Sequence, residues 1–180
     1  PAIAYTNDDL NCSFIATDED NDLLSANITW YKDNAPQFSF NMNIIDGAVT
    51  SNILRHENTS KGQIWNCSVV AFDGKAYSNA LSAAVAILNS APVFAPVSSF
   101  SLDEDFWSYV LNLTANLSDA DNDALTIGYA LNSTNYVTLS VNNNTKIATF
   151  YSVPDAFGVT NVSFNVYDDE MAGDSTSFLL

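Results

Sequence analysis

Apolar and polar residues alternate with a period of two along much of this chain. The alternation runs over residues 10–16, 26–32, 64–72, 107–113, 125–131, 136–141, 147–151 and 160–167. Successive side chains of a strand point to opposite faces, so the pattern predicts half-buried β-strands. Val, Ile, Tyr, Phe and Thr fill these runs, and clusters of Asn, Asp, Gly and Ser separate them. Helical periodicity is poor throughout. Many short strands between polar turns predict an all-β protein built of sandwiches.

The pattern also repeats. The segment from Asn11 to Asp22 (NCSFIATDEDND) aligns without gaps on that from Asn112 to Asp123 (NLTANLSDADND). The segment from Asn66 to Gly74 (NCSVVAFDG) aligns on that from Asn161 to Asp169 (NVSFNVYDD). Two gapless matches in the same order predict two tandem domains, residues 1–89 and 90–180. They meet at a stretch from Ile87 to Phe94, where Pro92, with Pro96 just beyond it, predicts a short stiff linker. The chain opens at Pro1 close to one predicted strand and closes at Leu180 inside another, so it reads as a fragment of a longer protein.

Charge narrows the partners. Lys and Arg number 5 against 21 Asp and Glu, a formal net charge of −16, although only 14% of residues are charged. Phosphate recognition needs clustered cations, which excludes nucleic acid and disfavours anionic membrane surfaces. No apolar run approaches the roughly 18 residues of a membrane span, so direct membrane insertion is not expected. Nine N-x-S/T sequons occur, at Asn11, Asn27, Asn58, Asn66, Asn112, Asn116, Asn132, Asn143 and Asn161. Chance in a chain this rich in Asn, Ser and Thr supplies about four. The excess predicts an N-glycosylated, extracellular cell-surface protein.

Cys12, Trp30 and Cys67 fall on three predicted strands in the order found in strands B, C and F of the immunoglobulin fold. That resemblance implies a Cys12–Cys67 disulfide between two sheets with Trp30 packed against it, and a Greek-key sandwich. Trp65 stands where that family often carries the tyrosine of its corner motif. The repeat agrees with the pairing: Leu113 and Val162 replace the two cysteines, as suits positions facing one core. The sequon residues Asn11, Asn66, Asn112 and Asn161 each precede these inward positions by one and are expected to point outward.

Acidic residues recur in register. Asp18, Asp20 and Asp22 follow one predicted strand, and Asp119, Asp121 and Asp123 follow its counterpart; Asp73 and Asp168 close the other matched pair. Alternating carboxylates in a turn can converge on a hard cation that takes six to eight oxygens, and with few Lys or Arg available Ca²⁺ is the natural neutraliser. Asp and Asn also simply make good turns. The motif is not an EF-hand, for the Gly and distal Glu are missing.

Residues 89–180 resemble the cadherin-like and tandem immunoglobulin-like repeats of microbial surface proteins. The resemblance is carried by Asn89-x-Ala91-Pro92-Val93, Asp103-Glu104-Asp105, the run from Leu117 to Thr126, Pro154 to Gly158, and Phe164 to Asp168. The first domain is similar to microbial immunoglobulin-like or polycystic-kidney-type repeats through Trp30-Tyr31-Lys32, Trp65-x-Cys67 and Phe72-Asp73-Gly74. The resemblance implies Ca²⁺ ligation by Glu104, Asp119, Asp121 and Asp168. The linker lacks the aspartates of a cadherin junction and keeps only Asn89. The Asn-rich, sequon-dense composition looks archaeal.

Catalysis has little to work with: His56 is the single histidine, set between Arg55 and Glu57 and expected to be solvated, and no Gly-rich phosphate loop exists. Three non-enzymatic readings follow. One is a calcium-stiffened stalk or adhesive repeat of a large surface protein, whose partners are neighbouring repeats. Another is a filament subunit whose terminal Ser177-Phe178-Leu179-Leu180 adds to a neighbour's sheet. The third is a carbohydrate-binding module using Trp107, Tyr109, Tyr129 or Tyr136, with glycans or other surface proteins as partners.

Overall fold

The computed structural model describes residues 3–180. The chain divides into two compact units, Pro1–Asn89 and Ser90–Leu180. Both are immunoglobulin-like β-sandwiches, and among the described residues helix is confined to two short 3₁₀ turns, His56–Asn58 and Thr114–Asn116.

Unit 1 contains β1 (Ala4–Tyr5), β2 (Leu10–Ile15), β3 (Leu24–Lys32), β4 (Ala35–Ile44), β5 (Val49–Leu54), β6 (Ile64–Phe72) and β7 (Leu81–Leu88). One sheet has the order β1-β7-β6-β3-β4, and a two-stranded sheet, β2-β5, faces it. All pairings are antiparallel except β1 with β7. The β3–β4 hairpin turns on Asp33 and Asn34, both at positive φ, the two-residue turn whose twist suits a hairpin and which Asn and Asp tolerate best. Ala26, Ile28 and Trp30 on β3 meet Trp65, Cys67 and Val69 on β6 in the core. Cys12 and Cys67 form a disulfide between the two sheets. Trp30 is the direct cross-strand neighbour of Cys67, and its indole N–H donates to Asn52 Oδ1 at 2.7 Å. Trp65 is buried, stacks on Phe38, and donates its indole N–H to Gln63 Oε1 at 2.9 Å.

Unit 2 contains β8 (Val93–Phe94), β9 (Tyr109–Asn112), β10 (Leu117–Ser118), β11 (Thr126–Leu131), β12 (Val137–Asn142), β13 (Ile147–Ser152), β14 (Asn161–Tyr167) and β15 (Gly173–Leu179). Sheets β11-β14-β15 and β12-β13-β9 enclose the core, and β8 pairs with β10. Leu113 and Val162, which stand in for the cysteines, are fully buried among Phe150, Phe164 and Phe178. The strand that aligns with β2 breaks here into β9 and β10, because Asn112 Oδ1 captures the Thr114 N–H at 2.9 Å and starts a 3₁₀ turn. Gly158 closes the Pro154–Gly158 motif, since any Cβ there would stand 2.4 Å from the Tyr136 ring.

Four strands of six residues or more escaped the alternation reading, besides the two-residue β1, β8 and β10. β4 carries Pro36 and is exposed along most of its length, as an edge strand allows. β5 is a short mixed run, β7 is nearly continuously apolar and Ala-rich, and β15 is mostly polar. The apolar end of the chain is not spare: Phe178 is 4% exposed, and β15 pairs with β14 from Gly173 to Leu179, completing its own sheet.

Candidate metal centre

The Asp-rich turns have one geometry in both units. In unit 1, Asp18 Oδ1 accepts the N–H groups of Asp20 and Asp22 at 3.1 and 3.0 Å. In unit 2, Asp119 Oδ1 accepts those of Asp121 and Asp123 at 2.8 and 3.1 Å. Asn21 and Asn122 occupy the left-handed region at φ 58° and 59°, which Asn tolerates. The D-x-D-N-D pattern is thus first a turn, folded around its leading aspartate.

What the turns face differs. Asp168, 4% exposed, closes β14 and accepts the N–H groups of Glu170 and Ala172 through Oδ1 at 2.9 and 2.8 Å. One carboxylate oxygen from each of Asp119, Asp123 and Asp168 lies within 4.8 Å of the others. Asp119 Oδ2 is buried and has no hydrogen-bond partner. Asp121 turns to the start of the unit, accepting the Ser90 N–H at 2.8 Å. Among the described residues no other group of three or more His, Cys, Asp or Glu comes together this closely.

In unit 1 the equivalent place holds Lys75. Its Nζ lies 2.6 Å from Asp22 Oδ2, and Asp73 accepts the N–H groups of Lys75 and Ala76 at 2.7 and 2.6 Å. The hydrogen bond and charge of Asp22, with Asp73 and Asp18 further off, hold the Lys75 ammonium above its ordinary pKa. The Ala76 and Lys75 N–H groups hold the Asp73 carboxyl below its own. Asp20 is exposed and Asp18 N–H donates to Asp46.

Glu104 is not brought to the cluster. It lines a hollow of about 510 Å³ with Phe106, Tyr136 and Leu179, while Asp168 sits at the opposite ends of β14 and β15, where Tyr167 pairs with Gly173. The neighbouring Asp105 caps a turn, accepting the Asp155 N–H at 3.0 Å. Asp174 stands outside every acidic motif of the repeat; it accepts the Phe94 N–H at 2.8 Å and ties β8 to β15, and that bond, with the one from Ser175, lowers its pKa. His56 is not simply solvated. Asp9 accepts its backbone N–H at 2.8 Å, lies 2.9 Å from its Nδ1 and takes Arg55 Nη1 at 2.6 Å. The His56 bonds above all, then that of Arg55, hold Asp9 well below the usual carboxylate range.

The sequons fall into two groups. Asn11, Asn27, Asn58, Asn112 and Asn132 are exposed. Asn66 and Asn161 are half-buried, and Asn66 Oδ1 is buried without a partner. Asn143 is spent on structure: its amide accepts the Ile127 N–H and donates to the Ile127 carbonyl. Asn116 Nδ2 donates to the carbonyls of Ala95 and Pro96. The aromatic candidates do not share one surface. Tyr109 packs with Phe100 and Phe150, and Tyr136 lies on Gly158. Trp107, 91% exposed, sits beside Tyr151 and Pro154, while Tyr129 belongs to the other sheet.

Residues 89–178 match the family model of the bacterial Ig domain. No curated protein matches. Among solved structures, the chain is similar over 99% of its length to an endo-fucoidan hydrolase from glycoside hydrolase family 107, at 16% identity and a TM-score of 0.37, and spans 27% of that chain. It is similar over its whole length to the chicken CNTN1 FN1–FN3 domains, at 10% identity and a TM-score of 0.37, covering 64% of them. A tandem of titin Ig domains is matched over 98% of this chain and 89% of that one, at 9% identity and a TM-score of 0.31. No helix among the described residues is long and apolar enough to cross a membrane. Domains of this fold are typically non-catalytic, and their function lies in sites placed on a structural frame. The two-sheet architecture and the family match over residues 89–178 lead to one conclusion: the chain belongs to the bacterial Ig domain family.

Proposed function

We propose that this chain is a non-enzymatic extracellular module of a glycosylated cell-surface protein, and that its second unit is stiffened by Ca²⁺ held between Asp119, Asp123 and Asp168. The observation that carries the reading is Asp119 Oδ2, a buried carboxylate oxygen without a hydrogen-bond partner beside two further carboxylates. A buried, unpaired anionic oxygen is costly, and three carboxylates this close repel one another. Oxygens within 4.8 Å of one another fit around one hard cation at about 2.3–2.6 Å. Asp119 and Asp168 each keep Oδ1 engaged with backbone N–H groups, so the turn and the end of β14 are braced before any ion arrives.

In this reading the ion ties the loop before β11 to the loop after β14, and the surrounding acidic surface attracts it. Extracellular calcium sites of this kind work at about 10⁻⁴–10⁻³ M. An ion bound only by the folded state adds about 2.7 kcal/mol of stability at a hundredfold excess over its dissociation constant. An extracellular location accords with the disulfide between the sheets and with five exposed sequons. Partners in this reading are neighbouring repeats of the same protein, with glycans or other surface proteins at the free faces. The test is thermal unfolding in about 2 mM Ca²⁺ and in excess EDTA. The unit 2 transition is expected to rise with calcium in the parent chain and not in Asp119→Asn; superimposable curves for the parent would remove calcium from the account.

A further inference from the structure

In unit 1 the edges of β2 and β7 face each other across a gap of about 410 Å³. The way residues line it identifies what it is. Consecutive residues, Cys12 to Thr17 on one side and Leu81 to Ala83 on the other, border it, whereas Cys67, Val69 and Ala71 of β6 meet it at alternate positions. Alternate residues present a sheet face, and consecutive residues present a strand edge. The floor is therefore a sheet face and both walls are edges. Among the described residues β2 pairs with β5 only. Among the described residues, 81–83 of β7 pair with β6 only, since β1 reaches just Ile87 and Leu88. No charged residue among those described borders the gap, in a chain of net charge −16.

Unit 2 contains the same lane, filled. By the repeat, Ala16 and Thr17 on the gap align with Leu117 and Ser118, which pair with Phe94 and Val93 of β8. Pro92 and Phe94 are buried there, and Phe94 stacks on Phe164. The segment then crosses to β15, where Phe100 N–H donates to Leu179 O at 3.3 Å, as β1 meets the end of β7 in unit 1. Residues 92–100 thus do in unit 2 what no described residue does between β2 and β7.

We propose that the gap is a strand-acceptor site. It takes an extended, uncharged polypeptide segment with apolar residues at alternate positions, of the type that Ala91 to Val97 supplies in unit 2. The incoming backbone pairs with the β2 edge near Ala16–Thr17 and continues the lane of β1 along β7, and its inward side chains cover the half-buried Ala71 and close the gap over the buried Cys67 and Val69. Main-chain bonds give such an addition its affinity, and the uncharged floor selects the sequence.

The probe is a capped peptide with the sequence of residues 90–98, added to the intact chain, and the same nine residues fused ahead of Pro1 through a short Gly-Ser link. The readout is amide hydrogen exchange. The proposal expects exchange at residues 13–17 and 81–83 to slow by about tenfold or more with the fusion, and in a saturable way with the peptide, while unit 2 is unchanged. Ala83→Asp, which sets a charge in the gap, is expected to abolish the slowing while Trp30 and Trp65 keep their native emission. No slowing in either format, slowing spread evenly over the chain, or slowing that survives Ala83→Asp would each overturn it.

Discussion

In unit 1 the Asp18–Asp22 turn closes on Lys75, whose ammonium stands 2.6 Å from Asp22; in unit 2 the Asp119–Asp123 turn closes on Asp168, and Glu170 stands where the repeat places Lys75. The backbone of the two turns is the same, down to the Asn at positive φ and the leading aspartate that accepts two N–H groups. Three aligned positions differ in charge, Glu19 against Ala120, Gly74 against Asp169 and Lys75 against Glu170, and only the last reverses its sign. Where the chain brings its own cation, the acidic turn is satisfied internally. Where that position is acidic, the proposed site draws a cation from outside. A repeated acidic motif is therefore evidence for a shared turn, and in the proposed function the residue opposite it separates a turn satisfied by Lys75 from one open to a cation.

The units also differ in how the centre of the sandwich is joined, and the largest expected effect lies there. Unit 1 uses the Cys12–Cys67 bridge, and unit 2 buries Leu113 and Val162. By the loop-entropy model the bridge contributes about 4 kcal/mol. Cys12→Ser with Cys67→Ser is expected to lower the unit 1 transition by that order, followed by the emission of Trp30 and Trp65, and to leave unit 2 unmoved. Equal loss in both units would mean that they unfold as one.

The next effect tests the metal. Asp168→Asn is expected to forfeit the calcium-dependent stability of unit 2, about 0.7–1.8 kcal/mol in about 2 mM Ca²⁺ for a dissociation constant of about 10⁻³–10⁻⁴ M, with unit 1 unaffected; calcium-dependent denaturant midpoints for the two units measure it. Acid then separates the units by a different route. Asp9 in unit 1 and Asp174 in unit 2 have folded pKa values below their unfolded ones. Their contribution is present above the unfolded value, about 3.9, and is lost as pH falls through the folded one. Asp9→Asn is expected to flatten the acid limb of unit 1 alone, and Asp174→Asn that of unit 2 alone, as read from unfolding midpoints between about pH 5 and pH 2. The smallest effect concerns glycans. Mass spectrometry of material from a glycosylating host is expected to find occupancy at exposed Asn11, Asn27, Asn58, Asn112 and Asn132, and none at Asn143, whose amide is bound to Ile127. Asn27→Gln should change stability by no more than about 0.5 kcal/mol.

Much of the frame was readable because burial writes itself into alternation. β3 and β6 carry apolar residues at every second position, and the Cys12, Trp30 and Cys67 pattern adds a long-range constraint that few folds satisfy. β4 was readable and was missed: Phe38, Phe40, Met42 and Ile44 alternate with polar residues, and Met42 and Ile44 pack on the core. β5, β7 and most of β15 carry no such alternation, and a Thr- and Ser-rich or Ala-rich strand is specified by the partner it pairs with. The candidate site was half legible. The Asp turns and Asp168 could be named, since local chemistry and the repeat mark them. That Lys75 fills one copy depends on a contact between residues 53 apart in sequence. That Glu104 belongs to the far end of unit 2 depends on strand direction, which spacing does not encode.

The most direct test of the account is a calorimetric Ca²⁺ titration of the parent chain beside Asp119→Asn and Lys75→Glu. The account predicts one site in the parent, none in Asp119→Asn, and a second, weaker site in Lys75→Glu, where unit 1 has been given the acidic residue that unit 2 carries at Glu170. A parent chain that takes up no calcium, or one whose uptake is unchanged by Asp119→Asn, would contradict it.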